Sequence, residues 1–102
     1  SGSGPAYFFL LIELLEDAAR REGLPPEVSR RLAIETAYGA ARMARESADD
    51  AATLRVQVTS KGGTTAAALA VLESAGLRDI VCRAVAAATQ RSRELAADFG
   101  RD

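Results

Sequence analysis

Thr59, Ser60, Lys61, Gly62, Gly63, Thr64 and Thr65 form a short polar stretch that runs directly into Ala66, Ala67, Ala68, Leu69, Ala70, Val71 and Leu72. This reads as a glycine-containing loop feeding an Ala/Leu-rich helix. The first turn of a helix leaves backbone N–H groups without intrahelical partners, and the aligned peptide dipoles place partial positive charge there. Gly62 and Gly63 allow close approach of backbone to a ligand. Thr64 and Thr65 add hydroxyls that donate or accept. Such a loop suits a small anion, a carboxylate or a phosphate. The plainer alternative is a helix capped by Ser60 or one of the threonines, with nothing bound. Taken alone, the loop leaves both readings open.

The remaining composition limits the chemistry. The chain has 102 residues, no His, one Cys and a net charge of −1. Without His, the commonest general base and metal ligand are missing, and no metal site is expected. A single Cys excludes an intrachain disulfide and a CxxC pair. Cys82, near Val81 and Val85, reads as a small buried hydrophobe. Acidic and basic residues are mixed along the chain, which argues against a nucleic-acid partner. The apolar run from Ala6 to Ile12 ends at Glu13 and is far short of the ~20 apolar residues that span a bilayer. With neither a membrane span nor a targeting segment visible, a cytoplasmic protein is expected.

The elements that must position the loop read as helices throughout. Pro5 suits the first turn of a helix over residues 5–22, stopped by Gly23. Its first half is apolar on every side, the pattern of a helix buried all round. Pro25 and Pro26 open a second helix, to about Glu46. In it Val28, Leu32, Thr36, Ala40 and Met43 recur at helical spacing, and Gly39, Ala40 and Ala41 allow close packing. Asp49 and Asp50 start a short helical segment through Leu54 to Val58. A helix over residues 64–75 follows the loop and stops at Gly76. The last starts near Leu77, where Leu77, Ile80, Val81, Ala84, Val85 and Ala88 form an apolar stripe. Its polar tail, residues 89–102, is expected to fray. The expected fold is an all-α bundle of about four main helices. Many of its apolar residues are alanines, which bury little area each, so a core shared with a second subunit is expected.

Several segments taken together carry a family resemblance. They are Ser1-Gly2-Ser3-Gly4-Pro5-Ala6-Tyr7-Phe8-Phe9, Gly23-Leu24-Pro25, Thr36-Ala37-Tyr38-Gly39-Ala40-Ala41, the run from Leu54 to Thr65, and that from Ala84 to Leu95. In order and spacing the chain resembles, over essentially its whole length, the C-terminal dimerisation domain of pyrroline-5-carboxylate reductase. The Ser-Gly repeat at the start, which alone looks like a flexible linker, is then the family's own lead into this domain. The resemblance implies helices interleaved with those of a second subunit, in a homodimer or an oligomer of such dimers. It also implies a substrate loop, matched residue by residue at Ser60, Gly62, Gly63 and Thr65. Its backbone amides hold the carboxylate of 1-pyrroline-5-carboxylate, or of the product proline, and Thr65 meets the ring nitrogen. The complete enzymes of the family reduce that imine with NADPH or NADH bound to an N-terminal Rossmann domain. No GxGxxG after a strand occurs here, so residues 1–102 are expected to hold no cofactor and to be inactive alone.

Three positions depart from the family pattern. Lys61 stands where the family has Pro, Asp50-Ala51 where it has His-Pro, and Val56 at a commonly acidic position. They bear on catalysis more than on fold. They also sustain a reading from another class, a non-catalytic helical dimer or interaction module that retains the fold.

Overall fold

The computed structural model describes residues 2–99. Five helices follow one another: α1 (Gly4–Arg21), α2 (Pro26–Glu46), α3 (Ala51–Gln57), α4 (Thr64–Ser74) and α5 (Leu77–Phe99). No strand occurs among the described residues, and the all-α expectation holds. The chain divides into two units, Ser1–Leu54 and Arg55–Asp102.

In the first unit α1 and α2 pack against each other. The turn between them is built from backbone hydrogen bonds. Gly23 has φ of +101°. The Leu24 N–H donates to the Ala19 carbonyl at 3.1 Å and the Gly23 N–H to that of Arg20 at 3.0 Å. This pair of bonds, six-to-one and five-to-two, is the Schellman arrangement that satisfies the last carbonyls of a helix. Pro25 and Pro26 then open α2, with Glu27 in its first turn, where an acid is favoured by the helix dipole. Ser29 is fully buried, and its hydroxyl donates to the Leu24 carbonyl at 3.4 Å, tying α2 back to the turn.

Ser29 and Ala33, four residues apart on α2, are the buried residues of this unit. The Val28–Leu32–Thr36–Ala40–Met43 spacing is helical as expected, yet Leu32 and Met43 are each half exposed. Small residues are the ones covered because they let the two helices approach closely. On α1, Phe8 and Phe9 are 66% and 69% exposed, and Leu10, Leu11, Leu14 and Leu15 about half exposed. A helix apolar on all sides, as the first half of α1 is, cannot be covered by one neighbouring helix.

Beyond α2, the Ser47 hydroxyl accepts from the Asp49 N–H at 3.0 Å. A carboxylate oxygen of Asp50 accepts from the Thr53 N–H at 2.9 Å. Asp50 is thus the N-cap of α3, which accounts for the acidic pair that precedes this short helix.

In the second unit α4 packs against α5 across a turn at Gly76, whose φ is +90°. Arg78 and Glu73 bridge that turn in an exposed ion pair of 2.7 Å. The apolar stripe of α5 is uncovered in the chain. Ile80, Val81 and Val85 are each about half exposed. Cys82, expected to be buried, is exposed: α4, the helix packed against α5 in this unit, leaves this face of α5 uncovered. The expected fraying of the tail is also corrected. The helix continues to Phe99, carried by residues with good helix propensity and by the Arg91–Glu94 pair at 3.1 Å. Residues 100–102 of that tail lie outside the described residues.

The Asp50 cap gives a direct test of this local account. Asp50→Ala is expected to cost about 1 kcal/mol, read as a lower urea midpoint at fixed protein concentration, while Asp50→Asn retains most of the stability.

Candidate functional site

The loop between α3 and α4 is assembled by four backbone and side-chain bonds. The Thr59 N–H donates to the Val56 carbonyl at 3.1 Å, and the Thr59 hydroxyl donates to the Arg55 carbonyl. This closes the end of α3, a role for Thr59 that the sequence reading did not assign. The signal was available in the habit of Thr to bond the carbonyl four residues back. The Gly63 N–H then donates to the Ser60 carbonyl at 3.0 Å, and the Ala67 N–H to that of Gly63 at 3.2 Å.

The first of these last two bonds defines a β-turn over residues 60–63. Gly62 has φ of +72°, whereas Lys61 has no positive φ. Positive φ at the third residue alone is the mark of a type II turn, which favours Gly there and accepts Pro at the second position. The substitution of Lys for Pro at position 61 therefore falls where Pro would only pre-set φ, and the turn survives on Gly62. Gly63 is extended, at φ −89° and ψ −175°, and is the N-cap of α4. A Cβ on Gly63 would lie 3.3 Å from both the Cβ and the carbonyl oxygen of Ser60. The need for glycine at 63 thus has a cause inside the loop itself, the close return of the chain onto Ser60.

The N-terminus of α4 carries no side-chain cap. The plainer reading, that Ser60 or a threonine caps this helix, does not hold. Thr64 and Thr65 occupy the first two helical positions, and both are exposed. The first-turn N–H groups of Thr64, Thr65 and Ala66 have no intrahelical acceptor within reach. Ser60, Gly62, Gly63, Thr64 and Thr65 are brought together as one turn plus the start of one helix. The arrangement is three backbone donors, two adjacent hydroxyls and the positive end of a helix dipole. It can hold an anion of carboxylate size, and it supplies no nucleophile.

The loop follows helix α3 rather than a strand, so it is not the glycine turn of a dinucleotide-binding fold. The described residues include no cluster of His, Cys, Asp or Glu able to hold a metal ion, and no helix among them is long and apolar enough to cross a membrane.

The described residues are all-helical, with uncovered apolar faces and a donor-rich turn ahead of α4. Comparison with known proteins agrees. The family model for pyrroline-5-carboxylate reductase dimerisation matches residues 1–95. The chain belongs to this family. It is 49% identical over 100 residues to the pyrroline-5-carboxylate reductase of Pseudomonas aeruginosa, covering 98% of this chain and 37% of that protein. It is 46% identical over 95 residues to that of Synechocystis, covering 93% and 36%. Among solved structures, the pyrroline-5-carboxylate reductase of Coxiella burnetii superposes with a TM-score of 0.90 at 49% identity, covering 93% of this chain and 35% of that one. The Plasmodium falciparum pyrroline carboxylate reductase, crystallised with NADP bound, does so at 0.87 and 39%, covering 90% and 35%. The chain spans a little over a third of the length of these relatives.

Because Lys61 occupies the second position of a type II turn, Lys61→Pro is expected to stabilise the protein by about 0.4–1 kcal/mol through the unfolded chain. Gly62→Ala forces a side chain into the left-handed region and should cost about 1–2 kcal/mol. Chemical denaturation of the two variants checks both signs.

Proposed function

We propose that this chain is the dimerisation and substrate-binding domain of a reductase that converts 1-pyrroline-5-carboxylate to L-proline. It pairs with a second copy of itself and holds the ligand carboxylate at the loop of residues 60–65. The observation that carries this reading is the uncapped N-terminus of α4 behind the Ser60–Gly63 bond, in a chain matched to that family. The amides of Thr64, Thr65 and Ala66 donate to the carboxylate oxygens, and the Thr65 hydroxyl faces the ring nitrogen. Ser60, Gly62 and Gly63 set the turn that brings backbone to ligand. The protein's part in catalysis is placement, with the hydride coming from a nicotinamide cofactor.

On this reading NADPH or NADH is bound by a part of the protein outside these 102 residues, which alone are inactive. The Plasmodium relative with NADP bound supports a nicotinamide partner. Dimers that join into larger assemblies are compatible with the many exposed apolar side chains. The cytoplasm, where the substrate and nicotinamide cofactors circulate, is the compartment.

A second reading is favoured by specific residues. The Asp50 carboxylate is engaged in capping α3, and Val56 presents an exposed apolar side chain at a position commonly acidic in the family. On that reading the chain is a helical dimer that no longer binds ligand.

An NMR titration with L-proline separates the two. The substrate-binding reading expects millimolar proline to shift the amides of residues 60–66 selectively. Binding is weak because only one wall of the site is present and little of the ligand is buried. Thr65→Val removes one hydroxyl and should weaken binding several-fold, the effect of about 0.5–1.5 kcal/mol for a single hydrogen bond, with the helical spectrum unchanged. Shifts no larger there than elsewhere would favour the non-binding module.

A further inference from the structure

Charge is spread unevenly along this chain, and the unevenness falls on the loop of residues 60–65. From Ala51 to Leu72, the longest stretch without an acidic residue, the charged residues are Arg55 and Lys61. The acids that flank the stretch are engaged elsewhere. Asp50 caps α3 at the Thr53 N–H, and Glu73 pairs with Arg78 at 2.7 Å. Arg55 and Lys61 enter no ion pair among the described residues, and both are exposed. Positive charge without an intrachain counter-ion raises the local concentration of anions at the loop.

Lys61 holds the second position of the type II turn. It lies between Ser60, whose carbonyl accepts from the Gly63 N–H at 3.0 Å, and Gly62 at φ +72°. The turn itself makes no demand for a charged residue there. What lysine adds is a compact, strongly hydrated ammonium with three donors on a flexible four-carbon stem. The amides of Thr64, Thr65 and Ala66 match one carboxylate. They are fixed to the start of α4, whereas the ammonium is carried on the turn ahead of it. The two sets of donors are separate, and a ligand with one carboxylate leaves the ammonium to water.

We propose that Lys61 is a specificity-determining residue of this loop: its ammonium pairs with a second anionic group of the ligand, so that small dicarboxylates are taken in preference to monocarboxylates. This rests on the reading of residues 60–66 as a carboxylate site and names a further ligand class for it. One carboxylate meets the amides of α4 and the other meets Lys61. The flexible stem follows different spacings between the two carboxylates, which the rigid fork of an arginine would not. Arg55, on α3, adds to a field that attracts a dianion more strongly than a monoanion. A dicarboxylate then competes with a monocarboxylate substrate for the same amides.

The test is an NMR titration of the full 102-residue chain with succinate, propionate and L-proline, following the amides of residues 60–66. Two equivalent carboxylates raise affinity about twofold by number alone, and an ion pair of about 4 Å in bulk water adds about fivefold. Succinate should therefore bind about tenfold more tightly than propionate. Lys61→Met keeps the stem and removes the charge, so the ratio should fall to about two. In about 1 M salt, where the screening length is about 3 Å, the ratio should fall in the same way. Lys61 is the one lysine beside twelve arginines, so acetylation with an N-hydroxysuccinimide ester neutralises the same side chain without mutation and should lower the ratio equally. A ratio of about two in the unmodified protein, with L-proline still shifting residues 60–66, would overturn the role of Lys61 and leave the carboxylate-site reading intact. An undiminished ratio after both Lys61→Met and acetylation would overturn it as well. If none of the three ligands shifts residues 60–66, both readings fall. Circular dichroism of each form verifies that the helices are retained.

Discussion

The constraint on which the structure depends is the lack of cover for its apolar side chains. Each large apolar residue taken from water contributes about 1.5–3 kcal/mol. Within the described residues Ser29 and Ala33 are the buried ones, while phenylalanines and leucines of α1 and the stripe of α5 stay exposed. Helix propensity and capping cannot replace that contribution, since most helical stability in proteins comes from packing of an apolar face. Exposed ion pairs such as those at 2.7–3.1 Å on α2, α5 and the Gly76 turn add little either, because surface pairs are each worth about 0–1 kcal/mol. On the proposed reading a second copy of the chain supplies the core, and membership of a dimerisation-domain family agrees with this.

Local structure and shared core divide the work. The turns at Gly23, Gly62 and Gly76 are fixed by positive φ and by backbone bonds within a few residues. They set where each helix begins and ends whether or not a partner is present. The loop of residues 60–65 belongs to this local class: its shape follows from Gly62, from the close return of Gly63 onto Ser60, and from the Thr59 bond that ends α3. The helices on either side, α3 and α4, leave Val56, Val71 and Leu72 exposed.

The same division explains what was legible in the sequence. Glycine and proline punctuation located α1, α2, α4 and the start of α5 to within a residue or two, because those residues act on their own backbone. Asp50 as the start of α3 was readable for that reason too. Burial was less legible. Cys82 was expected inside and is exposed, since an apolar neighbourhood in sequence says that a face wants cover, not which element provides it. The small pair Ser29 and Ala33 was passed over for the larger Leu32 and Met43, because periodicity identifies a stripe without showing which side meets the neighbouring helix. The tail of α5 looked polar when read residue by residue, and Leu95 and Phe99 join the stripe only once the helix is known to continue to Phe99. At the loop, residue types suggested an anion site, but the lack of a side-chain cap on α4 had to be seen in the structure.

The central claim is that folding of this chain and its association with a second copy are one event. Thermal unfolding followed by circular dichroism over a hundredfold range of protein concentration tests it most directly. For a folded dimer in equilibrium with unfolded monomers, each tenfold rise in concentration favours the dimer by about 1.4 kcal/mol. The midpoint should therefore climb steadily with concentration, and the dilute samples should lose helix first. A midpoint that stays constant across the range, in samples that sediment as monomers, would show that the chain is stable alone and would contradict the account.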